Sequence, residues 1–379
     1  MKKIKITFVL NNFLLGGAER LLLEIIKEMD KKMFEVSVVT IMGGGILETE
    51  FKKLNIPIFF AGPIHYPSSL FTKMLWLVGL PFFVVRLAFF LKKNKTDIIV
   101  NSMYKADIMT YLALIKPKLK IVSIQHDLVR FHPVIKSLKI RALKKTDKVI
   151  AISNSVKDFL IRYFEVEAAK IEVIYNGIDI ARFSSFQKSN QEWRPVLGTI
   201  ARLDKIKGHR YLLQALLKIR EDGLILPKVI LVGDGPEREN LILYLKKNNL
   251  KNVVMVGEKI AIGDYLKEMD VFILPSLSEG LGLSIIEALA AGKLILTTKV
   301  GGLRELIQHQ ETGLLVEPGD ANDLYQKIKW IIENKEKALE IKERSGRWIR
   351  DRQDIFEIKN VSQKYARLFR KLSEDLNGD

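Results

Sequence analysis

Short runs of Ile, Val and Leu recur along this chain, each followed by a stretch with helical spacing, and the pattern occurs twice. The runs Ile4–Leu10, Val36–Ile41, Ile56–Phe60, Ile98–Asn101, Ile121–Gln125 and Lys148–Ile152 have the near-continuous apolar character of strands buried on both faces. Helical spacing lies between them, for instance over Ala18–Glu28, Lys105–Ile115 and Val156–Tyr163. Strands interleaved with helices predict a parallel sheet covered by helices on both sides. From Phe183 to Arg194 the pattern gives way to a polar stretch that suits a linker. A second series follows, with strands at Val196–Ile200, Val229–Val232, Val253–Val256, Val271–Leu274 and Leu294–Thr297. We expect two consecutive doubly wound α/β domains, residues 1–185 and 186–354, and a basic helical tail over 355–379. In such sheets ligands bind beyond the carboxyl ends of the strands, which places a site at the cleft between the domains.

The chain carries no cysteine, which excludes a disulfide framework, a thiolate zinc site and a cysteine nucleophile. Its formal net charge is +17, of which about +12 falls in residues 1–180. Such a field attracts phosphates, anionic membrane surfaces or nucleic acid. No nucleic-acid-binding motif or aromatic platform accompanies it, so nucleic acid is not expected as a partner. The basic N-terminus lacks the long apolar region and cleavage site of a signal peptide and reads as a first strand. The segment Leu70–Leu91 is strongly apolar but is interrupted by Lys73, Pro81 and Arg86, and its uninterrupted run is too short to span a bilayer. It reads as a core helix, with a helix dipping into a membrane surface as the alternative. A basic stretch from Arg130 to Lys148 includes Lys136, Lys139, Arg141, Lys144 and Lys145. Val134, Ile135, Leu138 and Leu143 run between those charges, as in a helix lying on a membrane or a solvated helix face.

The chemistry concentrates in Pro275–Gly292, where Glu279 and Glu287 bracket a glycine turn between a strand and an apolar helix. Free backbone N–H groups at such a turn receive an anion, and Gly280 and Gly282 allow close approach. The two carboxylates cannot face phosphate, so they are expected to face hydroxyls, and phosphate plus polyol points to a nucleotide sugar. Arg202 and Lys207 follow the strand Val196–Ile200 and can be aimed by one loop at a diphosphate. Fixed cations of this kind stabilise a departing diphosphate without a metal. The turn Val232-Gly233-Asp234-Gly235-Pro236 ends another strand. It does not form G-x-G-x-x-G, which weakens a nicotinamide-dependent dehydrogenase reading. In the first half, Gly16 and Gly17 open a helix after the first strand, either over a ligand or as a plain tight turn. His126 and Asp127 end the strand Ile121–Gln125, where a histidine can donate to a sugar hydroxyl. Asn176-Gly177 reads as a turn. No Asp-x-Asp motif and no His/Cys cluster with metal-ligand spacing occurs, so neither metal nor cofactor is expected.

Taken together, these motifs resemble the GT-B glycosyltransferases of family 4, a retaining group, over nearly the whole chain. The Gly-Gly-Ala-Glu, Arg-Leu-x3-Lys-Gly, Gly-Asp-Gly-Pro and Glu-x7-Glu elements occur in the family's order, and Gly301–Glu305 and Thr312–Asp320 continue the match. The resemblance implies two Rossmann-like domains facing a cleft, with the C-terminal helix crossing back to the first. It implies that Arg202 and Lys207 bind the donor diphosphate, that Glu287 holds the ribose hydroxyls, and that Glu279 contacts the donor sugar. The amides of Gly280, Leu281, Gly282 and Leu283 would cap phosphate or sugar, with Gly233 in the donor site and Ile260 by the base. Gly16 and Gly17 would line the cleft, and His126 would lie near the sugar's C6 hydroxyl. Catalysis would rest on Glu279, His126, Arg202 and Lys207. Ala201 stands where the family commonly has glycine, and Lys293-Leu294 where proline is frequent. The expected activity is metal-independent, retaining transfer of a hexosyl or N-acetylhexosaminyl group from a nucleoside-diphosphate sugar to a glycan or lipid-linked acceptor. The expected setting is the cytoplasmic face of an anionic membrane. Alternatives are a nucleotide-sugar epimerase or soluble-sugar transferase on the same scaffold, and a non-catalytic GT-B binding protein.

Overall fold

A computed structural model describes residues 3–63, 70–113, 119–184 and 194–377 of the chain. The chain forms two compact units, Met1–Gly177 with Ile358–Asp379, and Ile178–Glu357. The first holds a seven-stranded sheet of β1 (Ile4–Leu10), β2 (Phe34–Thr40), β3 (Ile58–Phe60), β4 (Ile98–Ser102), β5 (Lys120–Gln125), β6 (Lys148–Ala151) and β7 (Ile171–Val173), in the order β3-β2-β1-β4-β5-β6-β7. The second holds a six-stranded sheet of β8 (Leu197–Ile200), β9 (Val229–Val232), β10 (Val253–Gly257), β11 (Val271–Leu274), β12 (Leu294–Thr298) and β13 (Leu314–Val316), in the order β10-β9-β8-β11-β12-β13. Every strand pair is parallel.

The apolar runs explain this. Phe8 and Val9 in β1, and Val271, Phe272 and Ile273 in β11, are fully buried on both faces of their sheets, where β-branched and aromatic side chains pack best. In both sheets the strand order reverses beside the first strand of the unit: between β1 and β4, and between β8 and β11. Loops leaving those strands diverge and open a crevice at the carboxyl edge. Gly16 follows β1, Arg202 and Lys207 follow β8, and Glu279 follows β11, while His126, Gly233 and Ile260 follow β5, β9 and β10.

β7 and β13, three residues each at the sheet edges, were not anticipated. The helix expected over Lys105–Ile115 runs from Tyr104 to Leu112. The unit division also differs from the expected one, falling at Gly177/Ile178 rather than 185/186, and at Glu357/Ile358 rather than 354/355. Tertiary contacts set it. The Ile178 N–H donates to the Phe356 carbonyl at 2.9 Å, the Ile180 N–H to Glu357 Oε2 at 3.3 Å, and the helix Ile180–Ser184 packs on the helix Leu283–Ala290. Of the expected linker Phe183–Arg194, residues 185–193 lie outside the described residues.

The final helix, Ile358–Asn377, packs in the first unit against the helix Gly17–Glu28 and against β4 and β5. Phe369 is fully buried there, with ring centroids 6.3 Å from Phe8 and 6.4 Å from Phe34. The segment Leu70–Leu91 lies within the helix Leu70–Asn94, whose Leu87 and Leu91 enter the core as expected. No helix among the described residues is long and apolar enough to cross a membrane. In the basic stretch, expected as a helix on a membrane or with a solvated face, the helix Pro133–Lys144 turns one of its cations inward. Lys139 is only 2% exposed, with its ammonium 4.5 Å from the centroid of the Phe164 ring, while Val134 is exposed.

Candidate functional site

In the second unit, three strand-end loops interlock. Gly233 and Gly235, at φ +143° and +157°, adopt backbone that disfavours any side chain. A Cβ on Gly233 would stand 2.0 Å from the Ala201 carbonyl oxygen, and one on Gly235 2.6 Å from that of Leu203. The Gly-Asp-Gly-Pro turn is thus a saddle for the loop carrying Arg202. The Leu203 N–H donates to the Asp234 carbonyl at 2.9 Å, and the Glu237 N–H to the Leu203 carbonyl at 2.8 Å. Gly208, at φ +69°, lies equally close to the loop after β11, since a Cβ there would stand 1.9 Å from the Pro275 carbonyl oxygen. The Leu277 N–H donates to the Ile206 carbonyl at 2.7 Å.

This docking brings Lys207 onto Glu279, with Nζ 2.6 Å from Oε2 and both side chains largely buried. Ser276 Oγ lies 3.5 Å from the same oxygen. Expected from sequence to meet different parts of a ligand, these two groups are partners in the structure. An ammonium has three donors and a carboxylate about four acceptor positions, so the pair keeps N–H groups for a phosphate and lone pairs for hydroxyls. Arg202 is more exposed, and its Nε lies 2.8 Å from Asp204 Oδ2. Glu258, just past β10, was missed by sequence reasoning. Partial loss of hydration and the Asp234 carboxylate raise its carboxyl above the ordinary value, and Arg202 opposes them. Its sequence signal was a charged residue immediately after a strand-ending glycine. Ile260, two residues on, is 41% exposed.

The helix Leu283–Ala290 starts at Gly282, which is left-handed at φ +87°. The Gly302 N–H donates to the Glu279 carbonyl at 3.2 Å. A Cβ on Gly302 would meet the Gly280 carbonyl oxygen at 2.2 Å, so Gly301-Gly302 holds the turn from beneath. Leu281 is fully buried and Glu287 is 1% exposed. Among the described residues no group of three or more His, Cys, Asp or Glu could hold a metal ion.

In the first unit, Gly16 precedes the helix Gly17–Glu28 at the carboxyl end of β1, and a Cβ on it would meet Glu19 Oε2 at 2.3 Å. His126, past β5, has Nε2 3.1 Å from Ser102 Oγ, while Nδ1 is shielded from solvent without a protein partner. Burial, and then the Lys139 charge, push its imidazole down to about 4, so it is neutral at pH 7. Behind it lies a polar network invisible to sequence motifs. Asp107 accepts from Ser123 Oγ and, at 2.9 Å, from Gln125 Nε2. Burial raises the Asp107 carboxyl and lowers the Lys139 ammonium, and each charge opposes the other's shift.

Two family models cover most of the chain: one described as Glycosyltransferase Family 4 over residues 15–182, and one described as Glycosyl transferases group 1 over residues 181–348. Fold and site motifs together define a GT-B glycosyltransferase. The chain belongs to family 4 of that class, the group 1 glycosyltransferases. It is 28% identical over 355 residues to the UDP-Gal:alpha-D-GlcNAc-diphosphoundecaprenol alpha-1,3-galactosyltransferase of Escherichia coli, covering 88% of this chain and 89% of that protein. It is 27% identical to the N-acetyl-alpha-D-glucosaminyl L-malate synthase of Bacillus anthracis, covering 72% and 74%. Among solved structures, Anabaena HepE in complex with UDP-glucose matches with a TM-score of 0.82 at 23% identity, covering 97% of this chain and 100% of that one. Sucrose-phosphate synthase of Thermosynechococcus elongatus matches with a TM-score of 0.81 at 20% identity, covering 98% and 99%. These structural likenesses show the fold.

Proposed function

We propose that the protein transfers a glycosyl group from a nucleoside-diphosphate sugar to a lipid-linked or polysaccharide acceptor, with retention at the anomeric carbon and without a resident metal. The observation that carries this reading is the Lys207–Glu279 pair, held at 2.6 Å by two glycine-dependent loops beside the switch point of the second sheet. A cation and a carboxylate at one place suit a donor that presents phosphate and hydroxyls side by side. The UDP-Gal and alpha-D-GlcNAc-diphosphoundecaprenol named for the E. coli relative support the substrate classes.

In the step we envisage, the bond between the anomeric carbon and the β-phosphate oxygen breaks, and the acceptor oxygen forms its bond on the same face. The acceptor's proton passes to the departing diphosphate. Lys207 and Arg202 hold the charge that develops there, a role worth several kcal/mol in a water-poor site. Glu279 orients the sugar hydroxyls, Glu287 reads the ribose, and the amides of Gly280–Leu283 cap the phosphates. Ile260 contacts the base, and Gly233 keeps the Arg202 loop in place. His126, Gly16 and Gly17 serve the sugar and acceptor.

The test is product analysis with UDP, GDP and ADP sugars in the presence of EDTA, with and without lipid-linked acceptor. Retained anomeric configuration in an acceptor-dependent product is expected. Conversion of the donor to its epimer without acceptor would assign the scaffold to epimerisation instead, and abolition by EDTA would refute metal independence.

A further inference from the structure

The helix Leu70–Asn94 is apolar on two opposite faces, and only one is accounted for by the core. Leu87 and Leu91 are buried against the sheet of the first unit, with Leu80, Phe83, Val84 and Phe90 packed beside them. On the other side Val78 is 79% exposed, Phe82 60%, Val85 64% and Phe89 65%. Spacings of four, three and four residues, at about 100° per residue, place these four side chains within an arc of about 60°. A helix that is hydrophobic all round is ordinarily buried all round, and a contiguous apolar stripe in water marks a contact surface.

The charges beside the stripe say what it contacts. The helix contains Lys73, Arg86, Lys92 and Lys93 and no acidic residue. Lys92 and Lys93 are exposed, and the same geometry puts them on the two flanks of the stripe. Arg86 donates to the Phe60 carbonyl at 2.8 Å with its guanidinium 5.6 Å from the Phe82 ring centroid, which fixes a cation at the stripe's edge. A second copy of this chain would set these cations against their own kind. A bilayer surface with anionic headgroups accepts both components, with aromatic rings at the acyl boundary and lysine stems snorkelling to the phosphates.

We propose that Val78, Phe82, Val85 and Phe89, rimmed by Arg86, Lys92 and Lys93, form the surface through which the protein docks on an anionic phospholipid bilayer. The helix lies in the plane of the interface, with Leu87 and Leu91 still packed on the sheet. This rests on the reading of a membrane-borne acceptor, for which it supplies the means of access.

Co-sedimentation of the full chain with vesicles of phosphatidylcholine and phosphatidylglycerol in equal parts tests it, with phosphatidylcholine vesicles as the control. Binding to the anionic vesicles alone is expected, weakening as salt is raised. F82S/F89S is expected to lower partitioning about tenfold or more, and K92Q/K93Q to reduce the preference for anionic vesicles. Because these side chains face solvent, both variants are expected to keep the wild-type melting temperature and nucleoside-diphosphate binding. V78S/V85S, on the same stripe, provides an independent pair. Wild-type protein left in the supernatant, or F82S/F89S and V78S/V85S both binding as well as wild type, would overturn the proposal. So would a wild-type dimer that F82S/F89S converts to monomer, since the stripe would then be a self-contact. Vesicle failure with intact nucleoside-diphosphate binding sinks only the docking surface, and the converse sinks only the proposed activity.

Discussion

At the scale of single residues, two kinds of polar group stand out: those poised for a ligand and those the fold merely encloses. Lys207 belongs to the first kind. Removing its ammonium leaves Glu279 without its ion-pair partner and, in the proposed transfer, the departing diphosphate with one cation fewer. Lys207→Ala is therefore expected to lower kcat/KM by about a hundredfold to a thousandfold, with little change in melting temperature. Glu287→Ala is expected to lower kcat/KM through donor affinity. Near-normal turnover in both would refute the site. His209 belongs to the second kind. It is 2% exposed, neither ring nitrogen has a protein partner, and burial aided by Lys207 pushes its imidazole down from 6.5 to about 4. Unfolded, the ring takes up a proton near 6.5, but folded it does so only near 4. Between those values the unfolded chain binds more protons, so stability is lost as pH falls through that window. The loss from this one residue is of the order of 3 kcal/mol. His209→Leu is expected to flatten the acid limb of stability measured by denaturant unfolding from pH 7 to 4. An unchanged slope would show that His209 titrates freely.

At the scale of elements, glycines act where loops touch. Gly208→Ala forces a Cβ against the Pro275 carbonyl at positive φ, a strain of the order of 1–3 kcal/mol. It is expected to lower activity more than stability, because Lys207 is carried off Glu279. Kinetics and thermal unfolding on one preparation separate the two effects, and equal loss of both would contradict this. Phe369→Ala, in the middle of the final helix, is expected to cost about 3–5 kcal/mol by opening the Phe8–Phe34 cluster. A loss below 1 kcal/mol in denaturant titration would show that the helix is only loosely held. The strands were largely legible in the sequence because fully buried parallel strands must be continuous in Ile, Val and Leu. β7 escaped because Glu172 interrupts its three residues, and β13 because Leu314–Val316 is too short a run to be told from a loop, whereas β3 was marked by the longer apolar run Ile56–Phe60. The division between units escaped because a hydrogen bond from Ile178 to Phe356 sets it, and no composition shift marks that pair. The partnership of Lys207 and Glu279 was not readable from spacing along the chain, since it depends on how two loops dock. Lys139 looked like one more surface cation until Asp107 and the Phe131 and Phe164 rings, all from other elements, enclosed it.

At the scale of the whole molecule, two α/β sheets of one design carry different loop motifs, visible in the sequence as loop glycines and loop charges. The net charge of +17 is consistent with phosphate-bearing partners at both levels, donor and membrane. The central claim is that the second unit grips a nucleoside diphosphate through Lys207 and Arg202. It is tested most directly by the melting temperature of wild type and Lys207→Ala titrated with UDP, GDP and ADP in EDTA. Ligand at about a hundredfold over Kd stabilises the folded state by about 2.7 kcal/mol. At least one of the three is expected to raise the wild-type melting temperature saturably in EDTA, and Lys207→Ala to abolish the shift. No shift with any of the three, or an equal shift in Lys207→Ala, would contradict it.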